Sequence, residues 1–206
     1  MGESGIFSSP SSLSVSGSFF GHSSFAALSI AKEGSVVNVT DLVKDEEELK
    51  MFSPMGCGSQ TGAGTVSELA KAGKGDSIVI MGLGGVGLCA IMSAKIQGCH
   101  TIIGIDRIAS RLDLAKELGA THVINTSDAS VDLIAEIMKI TKDVGATIVI
   151  DTTGNMGLIK QGLEFTAYFG QFIILGAPPR DGNLEINLLS YMMVCELPLP
   201  LYGDLC

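Results

Sequence analysis

The 206-residue chain is long enough to bury the core of one domain and part of a second. Its 46% hydrophobic residues, 17% charged residues and 26 glycines are typical of a close-packed α/β protein and exclude a disordered one. A net charge of -9 argues against a nucleic-acid partner, because phosphate backbones are bound by locally basic surfaces.

Cysteine usage and apolar segments bear on the compartment. The five cysteines form no close-spaced framework, and the chain start lacks the basic and apolar pattern of a signal peptide. We therefore expect reduced thiols and a cytoplasmic location. The longest apolar stretch, residues 78–96, is interrupted by four glycines and a lysine. It predicts a strand, a turn and a buried helix, and no membrane partner is expected.

The first 50 residues carry weak structural signals. Residues 1–21 are rich in serine and glycine without a helical or strand period, so little order is expected there. Residues 24–39 contain short apolar groups on both sides of Lys32-Glu33-Gly34, which predicts two short strands joined by a turn. The acid-rich residues 41–50 predict a short exposed helix without an assigned function.

A regular alternation of helices and strands follows. Residues 59–72 have apolar side chains at helical spacing, and Gly73 is placed to end that helix. Further apolar patterns predict strands at 77–81, 101–105, 122–125, 147–151 and 171–175, and helices at 85–97, 110–118, 131–140 and 157–165. The alternation predicts a Rossmann-type, doubly wound parallel sheet of about five strands. No sixth strand is predicted within residues 194–206, which contain two prolines.

The sequence Gly82-Leu83-Gly84-Gly85-Val86-Gly87 fits the G-x-G-x-x-G pattern between a predicted strand and a predicted helix. In this pattern Gly82 permits a tight turn, Gly84 lets the backbone approach a pyrophosphate, and Gly87 lets the helix pack closely on its strand. The first turn of the helix, with Gly85 and Val86, offers unpaired N–H groups to phosphates. A packing role is the alternative for the glycines, and their context favours a dinucleotide.

Asp106 ends the second predicted strand of this sheet, about 20 residues after the glycines. At that position a carboxylate accepts hydrogen bonds from the adenosine ribose and repels an added 2′-phosphate, which predicts NAD in preference to NADP. Arg107 opposes this choice, because a guanidinium pairs well with phosphate. A simple turn role is the alternative for Asp106.

Several motifs together resemble the zinc-containing alcohol dehydrogenases of the medium-chain dehydrogenase/reductase superfamily. They are residues 54–62 (Pro-Met-Gly-Cys-Gly-Ser-Gln-Thr-Gly), 82–88, Gly104-Ile105-Asp106 and Leu118-Gly119-Ala120-Thr121. Residues 19–26 resemble the aryl-alcohol branch, and the resemblance extends over residues 17–193. It implies a remnant of a β-rich, GroES-like catalytic domain at 1–58, an NAD-binding Rossmann domain at 59–193 and a divergent tail at 194–206.

The resemblance also implies roles for individual residues. Cys57 matches a ligand of the catalytic zinc, and Thr61 matches a catalytic threonine near the nicotinamide. The stretch Leu175-Gly176-Ala177 matches the lining of the nicotinamide pocket, and Arg111 matches a basic residue beside the adenosine ribose. The implied cofactors are NAD and zinc, and such a zinc binds the alcohol oxygen and favours the alkoxide.

One ligand cannot hold a catalytic zinc. The resemblance implies another cysteine, a Gly-His-Glu histidine and a four-cysteine lobe that do not occur in this sequence, so we expect a chain truncated at both ends with impaired activity. Without its partners, Cys57 is expected to be a buried thiol. Metal-ligand spacing is also absent from the other cysteines and the histidines, which are Cys89, Cys99, Cys195, Cys206, His22, His100 and His122.

Three functions stay open. The first is an NAD-dependent alcohol dehydrogenase that transfers hydride between NAD and a small primary alcohol or aldehyde, aromatic ones included. The second is a non-catalytic NAD-binding module or pseudoenzyme that pairs with a full-length relative. The third is a zinc-independent, quinone-reductase-like enzyme, which is disfavoured because Gly56-Cys57-Gly58 resembles the zinc branch. For any of these functions, a homo-oligomer is another expected partnership.

Overall fold

The computed structural model describes residues 3–8, 14–17, 30–128 and 130–186, and the chain divides into two units at residues 52 and 53. In the first unit, strand β1 (Glu3–Ser8) pairs antiparallel with strand β2 (Ser14–Gly17). The expectation of little order in residues 1–21 is therefore wrong for these two segments. Antiparallel pairing uses backbone N–H and carbonyl groups, which a serine-rich chain supplies without an apolar period.

The strand predicted at the end of residues 24–39 is also wrong. Residues 33–35 form a 3₁₀ turn, and no strand occurs within residues 30–39. Val36 and Val37 are exposed, so their side chains do not pack into a core that would stabilise a strand here. Residues 24–29 lie outside the described residues. Helix α1 (Glu46–Phe52) confirms the short exposed helix.

The second unit begins with a helix of mixed geometry. A 3₁₀ turn (Ser53–Gly56) precedes helix α2 (Gly58–Gly64), and the chain continues through a π-helical turn (Thr65–Leu69). These elements confirm the helix predicted at 59–72. It ends before Gly73, because Lys71 already adopts a left-handed conformation with φ of 51°.

Five parallel strands alternate with helices over the rest of this unit. In chain order, these strands and helices are β3 (Ser77–Met81), α3 (Gly85–Gln97), β4 (Thr101–Asp106), α4 (Ala109–Leu118), β5 (His122–Asn125), α5 (Leu133–Ile140), β6 (Ala146–Asp151), α6 (Met156–Glu164) and β7 (Thr166–Ile174). The strand order β5-β4-β3-β6-β7 confirms the Rossmann-type doubly wound sheet.

Helices cover both faces of this sheet, which explains why its central strands β3, β4 and β6 are buried at nearly every position. On β3, Ile78 and Ile80 belong to a buried cluster with residues of α3 and α4. Val79 and Met81 belong to a second buried cluster with residues of α5 and α6. Because the chain reverses its direction of winding at β3, a crevice forms at the carboxyl ends of the central strands.

Strand β7 departs from the prediction because it starts five residues earlier, at Thr166. Its pairing with β6 shifts between Ala146–Thr166 and Ile148–Gln171, which leaves a bulge in β7. Within the bulge Phe169 has a φ of 62°. The predicted tail at 194–206 lies outside the described residues. In the part of the chain that is described, no helix combines the length and apolar character that crossing a bilayer requires.

The loop between α5 and β6 carries backbone strain that substitution should relieve. Lys142 and Asp143 both adopt left-handed conformations, with φ of 55° and 62°. A left-handed residue with a side chain costs about 1–2 kcal/mol, and glycine avoids this cost while losing more entropy on folding. We expect Lys142→Gly to raise the free energy of unfolding by about 0.5–1 kcal/mol in urea denaturation. The matched Lys139→Gly, inside α5, should lower it by about 1 kcal/mol; an equal loss in both variants would contradict the strain.

Candidate functional site

A cleft of about 730 Å³ opens at the carboxyl ends of the parallel strands. Segments that follow β3, β4, β5 and β6 all contribute to it. Its lining consists of Gly82, Gly84, Gly85, Val86, Ile105, Asp106, Arg107, Ile108, Arg111, Thr126, Ser127, Thr152, Thr153, Asn155 and Leu158. Ligands of doubly wound folds bind at this position, where the strand order reverses.

Two glycines, one in the turn after β3 and one in α3, allow that turn and the helix to lie in close contact. Gly82 has a φ of 89°, and a Cβ atom there would lie 2.5 Å from the Thr152 hydroxyl oxygen. A Cβ atom on Gly87 would overlap the carbonyl oxygen of Gly82. The Thr152 hydroxyl lies 2.9 Å from the carbonyl oxygens of Met81 and Gly82 and so links this turn to β6. Side chains are therefore excluded at both glycines, and Gly87 lies buried beneath the cleft.

The next two glycines leave space where a ligand could lie. A Cβ atom on Gly84 or Gly85 would have no heavy atom within 4 Å. Gly84 is the N-cap of the 13-residue helix α3. Because glycine has no side chain, no side-chain oxygen of the N-cap residue accepts a hydrogen bond from the first N–H groups of the helix. The first N–H groups of α3 and the positive end of its dipole thus border open space, which fits a pyrophosphate.

Asp106 ends β4 and is held by backbone donors from two segments. The Leu83 N–H donates to Oδ2 at 2.7 Å, although 23 residues separate the two along the chain. The N–H groups of Arg107 and Ile108 donate to Oδ1 at 2.7 and 3.0 Å. Arg111 Nη1 lies 3.6 Å from Oδ2, and only 8% of the Asp106 side chain is exposed. The carboxylate therefore orders the loop of the glycine turn and the start of α4.

These contacts decide the charge state of Asp106. Burial raises the pKa of the carboxyl group. The hydrogen bonds from the amides of Leu83, Ile108 and Arg107 and the charge of Arg111 together lower this pKa by more than burial raises it. The net result is a pKa below the usual range for aspartate. Asp106 is consequently a carboxylate at neutral pH.

A second aspartate, Asp151, organises the opposite side of the cleft. Its fully buried carboxylate accepts hydrogen bonds from the Thr153 hydroxyl at 2.6 Å and from the Gly154 N–H at 2.9 Å. Burial raises the pKa of this group against the opposing effect of these hydrogen bonds. The turn after β6, which carries the cleft residues Thr153 and Asn155, is thereby tied to the end of its strand.

The stretch Leu175-Gly176-Ala177 lies beside this turn and is not part of the cleft lining. The N–H groups of Leu175 and Gly176 donate to the Asp151 carbonyl oxygen at 2.7 and 3.0 Å. A Cβ atom on Gly176 would overlap the Gly154 nitrogen. The stretch therefore continues the edge of the crevice from β6 to β7.

Helix α2 places Cys57 and Thr61 next to the first turn of α3. A Cβ atom on Gly62 would overlap the Val86 carbonyl oxygen, so the two helices are in close contact. Cys57 is the N-cap of α2 and is exposed, which contradicts the expected buried thiol. It is exposed because it precedes the helix face that packs on α3. Thr61 is half-buried, and neither residue lines the cleft.

The described residues do not fit a zinc ion. Within residues 30–128 and 130–186, no three histidine, cysteine, aspartate or glutamate side chains are grouped as metal ligands. A catalytic zinc site takes three protein ligands. Cys57 therefore stands without the partners that a metal requires in this part of the chain.

Sequence reasoning missed the hydroxyl and amide side chains of the cleft. Thr126, Ser127, Thr152, Thr153 and Asn155 all line it. Each follows directly on the carboxyl end of β5 or β6. That position was the available signal, because the carboxyl ends of parallel strands converge on one edge of the sheet.

Comparisons with known proteins agree with this architecture. Residues 85–196, more than half of the chain, match the family model for zinc-binding dehydrogenases. A Pseudomonas protein named "Probable alcohol dehydrogenase" is 36% identical over 194 residues, which cover 93% of this chain and 60% of that protein. The geraniol dehydrogenase of Castellaniella defragrans is 37% identical, with 86% of this chain and 46% of that protein covered. The chain thus spans about half the length of these relatives.

A solved structure shows the same fold. The crystal structure of benzyl alcohol dehydrogenase from Acinetobacter calcoaceticus superposes with a TM-score of 0.75 at 37% identity, covering 84% of this chain and 46% of that one. With the parallel sheet, the glycine turn and the family match in agreement, the chain belongs to the zinc-binding dehydrogenase family, among the alcohol dehydrogenases of the medium-chain superfamily.

Proposed function

We propose that this chain binds NAD in the cleft and is the dinucleotide-binding part of an alcohol dehydrogenase. The observation that carries the proposal is the open space at Gly84 and Gly85, at the uncapped start of α3. Backbone amides there can approach a pyrophosphate without side-chain interference. When bound, NAD supplies the nicotinamide ring that accepts or donates a hydride.

The lining of the cleft supports one direction for the proposed dinucleotide. Asp106, with Arg107 and Arg111 beside it, receives the adenosine ribose at the β4 side. Residues 82–86 would hold the pyrophosphate, and the turn after β6 with the adjoining Leu175-Gly176-Ala177 would hold the nicotinamide. Thr61 lies on the helix that packs against α3, outside the cleft lining, and its proposed place beside the nicotinamide rests on the family resemblance. The chain thus binds and orients the cofactor through the ends of its sheet.

The substrate is a primary alcohol or aldehyde, with aromatic alcohols as the first compounds to examine. Support comes from the benzyl alcohol dehydrogenase neighbour and from the alcohol dehydrogenase relatives. Among the described residues, no three side chains are grouped as zinc ligands. That same observation favours a second candidate, a non-catalytic NAD-binding module.

Titration calorimetry with NAD⁺ tests the proposed cofactor. We expect Gly84→Val to weaken NAD⁺ binding by more than about tenfold, because its side chain occupies the phosphate position that backbone amides must line. The melting temperature should fall only slightly, since open space surrounds Gly84 although valine is a poorer N-cap than glycine. Gly75→Val is the matched control, because Gly75 also borders open space but lies outside the cleft. Equal NAD⁺ affinity in all three proteins would contradict the proposed site.

Turnover separates the two candidate functions. Formation of NADH from NAD⁺ and benzyl alcohol, together with bound zinc, supports the alcohol dehydrogenase. Bound NAD⁺ with neither zinc nor NADH formation supports the non-catalytic module. A mixture with a full-length relative extends the test to a chain that acts only in a pair.

A further inference from the structure

Asp151 joins the carboxyl ends of β6 and β7 through both its backbone and its side chain. Its carbonyl oxygen accepts hydrogen bonds from the N–H groups of Leu175 and Gly176, directly after β7, at 2.7 and 3.0 Å. Its carboxylate accepts hydrogen bonds from the Thr153 hydroxyl at 2.6 Å and from the Gly154 N–H at 2.9 Å, in the turn after β6. One residue therefore holds both segments that border this side of the cleft.

These two segments also pack directly on each other through backbone atoms. Gly154 has a φ of 65°, and a Cβ atom there would overlap the Ala177 carbonyl oxygen. A Cβ atom on Gly176 would overlap the Gly154 nitrogen. Because no side chain separates the segments, a displacement of the turn is transmitted to residues 175–177. The conformation of Gly154, which the Asp151 carboxylate holds, thus sets the shape of this edge.

The carboxyl group of Asp151 is held here at a cost. It is fully buried, and removing a charged group from water costs free energy. Burial raises the pKa of Asp151 against the opposing effect of its hydrogen bonds. Carboxyl groups in such surroundings are concentrated at functional sites. Asp151 does not line the cleft itself, so its effect on a ligand has to pass through the residues that it holds.

We propose that Asp151 is a positioning residue for the nicotinamide half of the cofactor, acting through Gly154 and residues 175–177. This inference rests on the proposed function, in which the nicotinamide lies at this edge. The adenosine half lies at the end of β4, where Asp106 holds the neighbouring amides. Loss of the Asp151 carboxylate therefore affects one half of the dinucleotide and spares the other.

Titration calorimetry with NADH and with ADP-ribose, which is the same molecule without its nicotinamide, tests this inference. The wild-type chain should bind NADH more tightly than ADP-ribose. Asp151→Ala leaves the Gly154 N–H and the Thr153 hydroxyl unpaired, so the turn loses its fixed position. We expect NADH binding to weaken by at least about tenfold and ADP-ribose binding to change by less than about threefold. The fluorescence of bound NADH should also move toward that of free NADH, because it reports the surroundings of the nicotinamide ring.

Asp76→Ala is the matched control for a general loss of stability. The Asp76 carboxylate also accepts two hydrogen bonds, from the Gly73 N–H at 2.8 Å and from the Thr147 hydroxyl at 2.9 Å. However, Asp76 precedes the amino end of β3, at the edge of the sheet opposite to the cleft. This variant should unfold at a lower urea concentration than the wild type and keep the wild-type ratio of NADH to ADP-ribose affinity.

Two further measurements keep the test independent of the folding of Asp151→Ala. Gly154→Ala retains the carboxylate but pushes against the Ala177 carbonyl oxygen, so it should lower the NADH affinity relative to that of ADP-ribose as well. In the wild-type chain, the N–H groups of Leu175 and Gly176 should exchange their hydrogens more slowly with NADH bound than with ADP-ribose bound.

Three results would overturn the inference. They are an unchanged affinity ratio in either folded variant, a ratio that changes equally in Asp76→Ala, and hydrogen exchange at residues 175 and 176 that is the same with both ligands. Equal binding of NADH and ADP-ribose to the wild-type chain contradicts only this inference. Binding of neither ligand contradicts the proposed function as well.

Discussion

Gly87→Ala is expected to lower the free energy of unfolding by about 3 kcal/mol, because the added methyl group has to displace packed backbone. Its Cβ atom would overlap the Gly82 carbonyl oxygen and lie 3.5 Å from Ile80 Cγ2. The Thr152 hydroxyl is hydrogen-bonded to the Gly82 carbonyl oxygen and links the turn to β6. This hydrogen bond opposes a movement of the turn away from the added methyl group. Urea denaturation followed by circular dichroism measures the loss, and NAD⁺ binding should fall with it.

Gly85→Ala is the control for this prediction. The position is in the same helix, two residues earlier, but a Cβ atom there borders open space. Because alanine favours the helix more than glycine does, stability should stay constant or rise by up to about 1 kcal/mol. If Gly87→Ala unfolds at the same urea concentration as Gly85→Ala, the close contact of α3 with the turn does not exist in solution.

Asp106→Ala should weaken NAD⁺ binding by about 1–3 kcal/mol, the scale of leaving hydrogen-bonding groups unpaired. The substitution removes the acceptor for three N–H groups, including that of Leu83 in the glycine turn. It also removes the acceptor for a ribose hydroxyl. Calorimetric titration with NAD⁺ measures the loss. Asp113→Ala, at an exposed carboxylate of α4, should bind NAD⁺ like the wild type. An unchanged affinity in Asp106→Ala would remove this residue from the site.

The same residue sets a direction for the pH dependence of stability. Because the pKa of folded Asp106 lies below its usual value, its contribution to stability is present at neutral pH. This contribution is lost below about pH 4, as the pH falls through the folded pKa. Asp106→Asn should therefore lose less stability than the wild type over this acid range. Asp151 acts in the opposite direction, since its raised pKa favours folding at low pH.

The sequence predicted the sheet and the glycine turn because their signals are local. A continuous apolar run marks each strand that is buried on both faces, and the spacing of Gly82, Gly84 and Gly87 follows from one turn. The strand order confirms this reasoning. The position of Asp106 is equally visible, since it follows directly on an apolar strand.

Other features depend on contacts between distant segments. The Leu83–Asp106 hydrogen bond forms only after β3 and β4 have paired. Thr152 and Ser127 resemble any other hydroxyl residues until their strands are placed side by side. The bulge of β7, with Phe169 in a left-handed conformation, contradicts the local preference of an aromatic residue. Tertiary packing decided these positions, and single-sequence patterns carry little information about it.

The hydrogen bond from the Leu83 amide to the Asp106 carboxylate joins the glycine turn after β3 to the end of β4. These two segments would bind the pyrophosphate and the ribose of one dinucleotide. This bond exists before any ligand arrives, so the spacing between the phosphate and sugar subsites is set in advance. A preorganised binding site loses little conformational entropy when its ligand binds. More of the free energy of the contacts therefore contributes to affinity. An incoming dinucleotide would then meet a surface already shaped for it, and recognition would require no rearrangement of the β3–β4 segment.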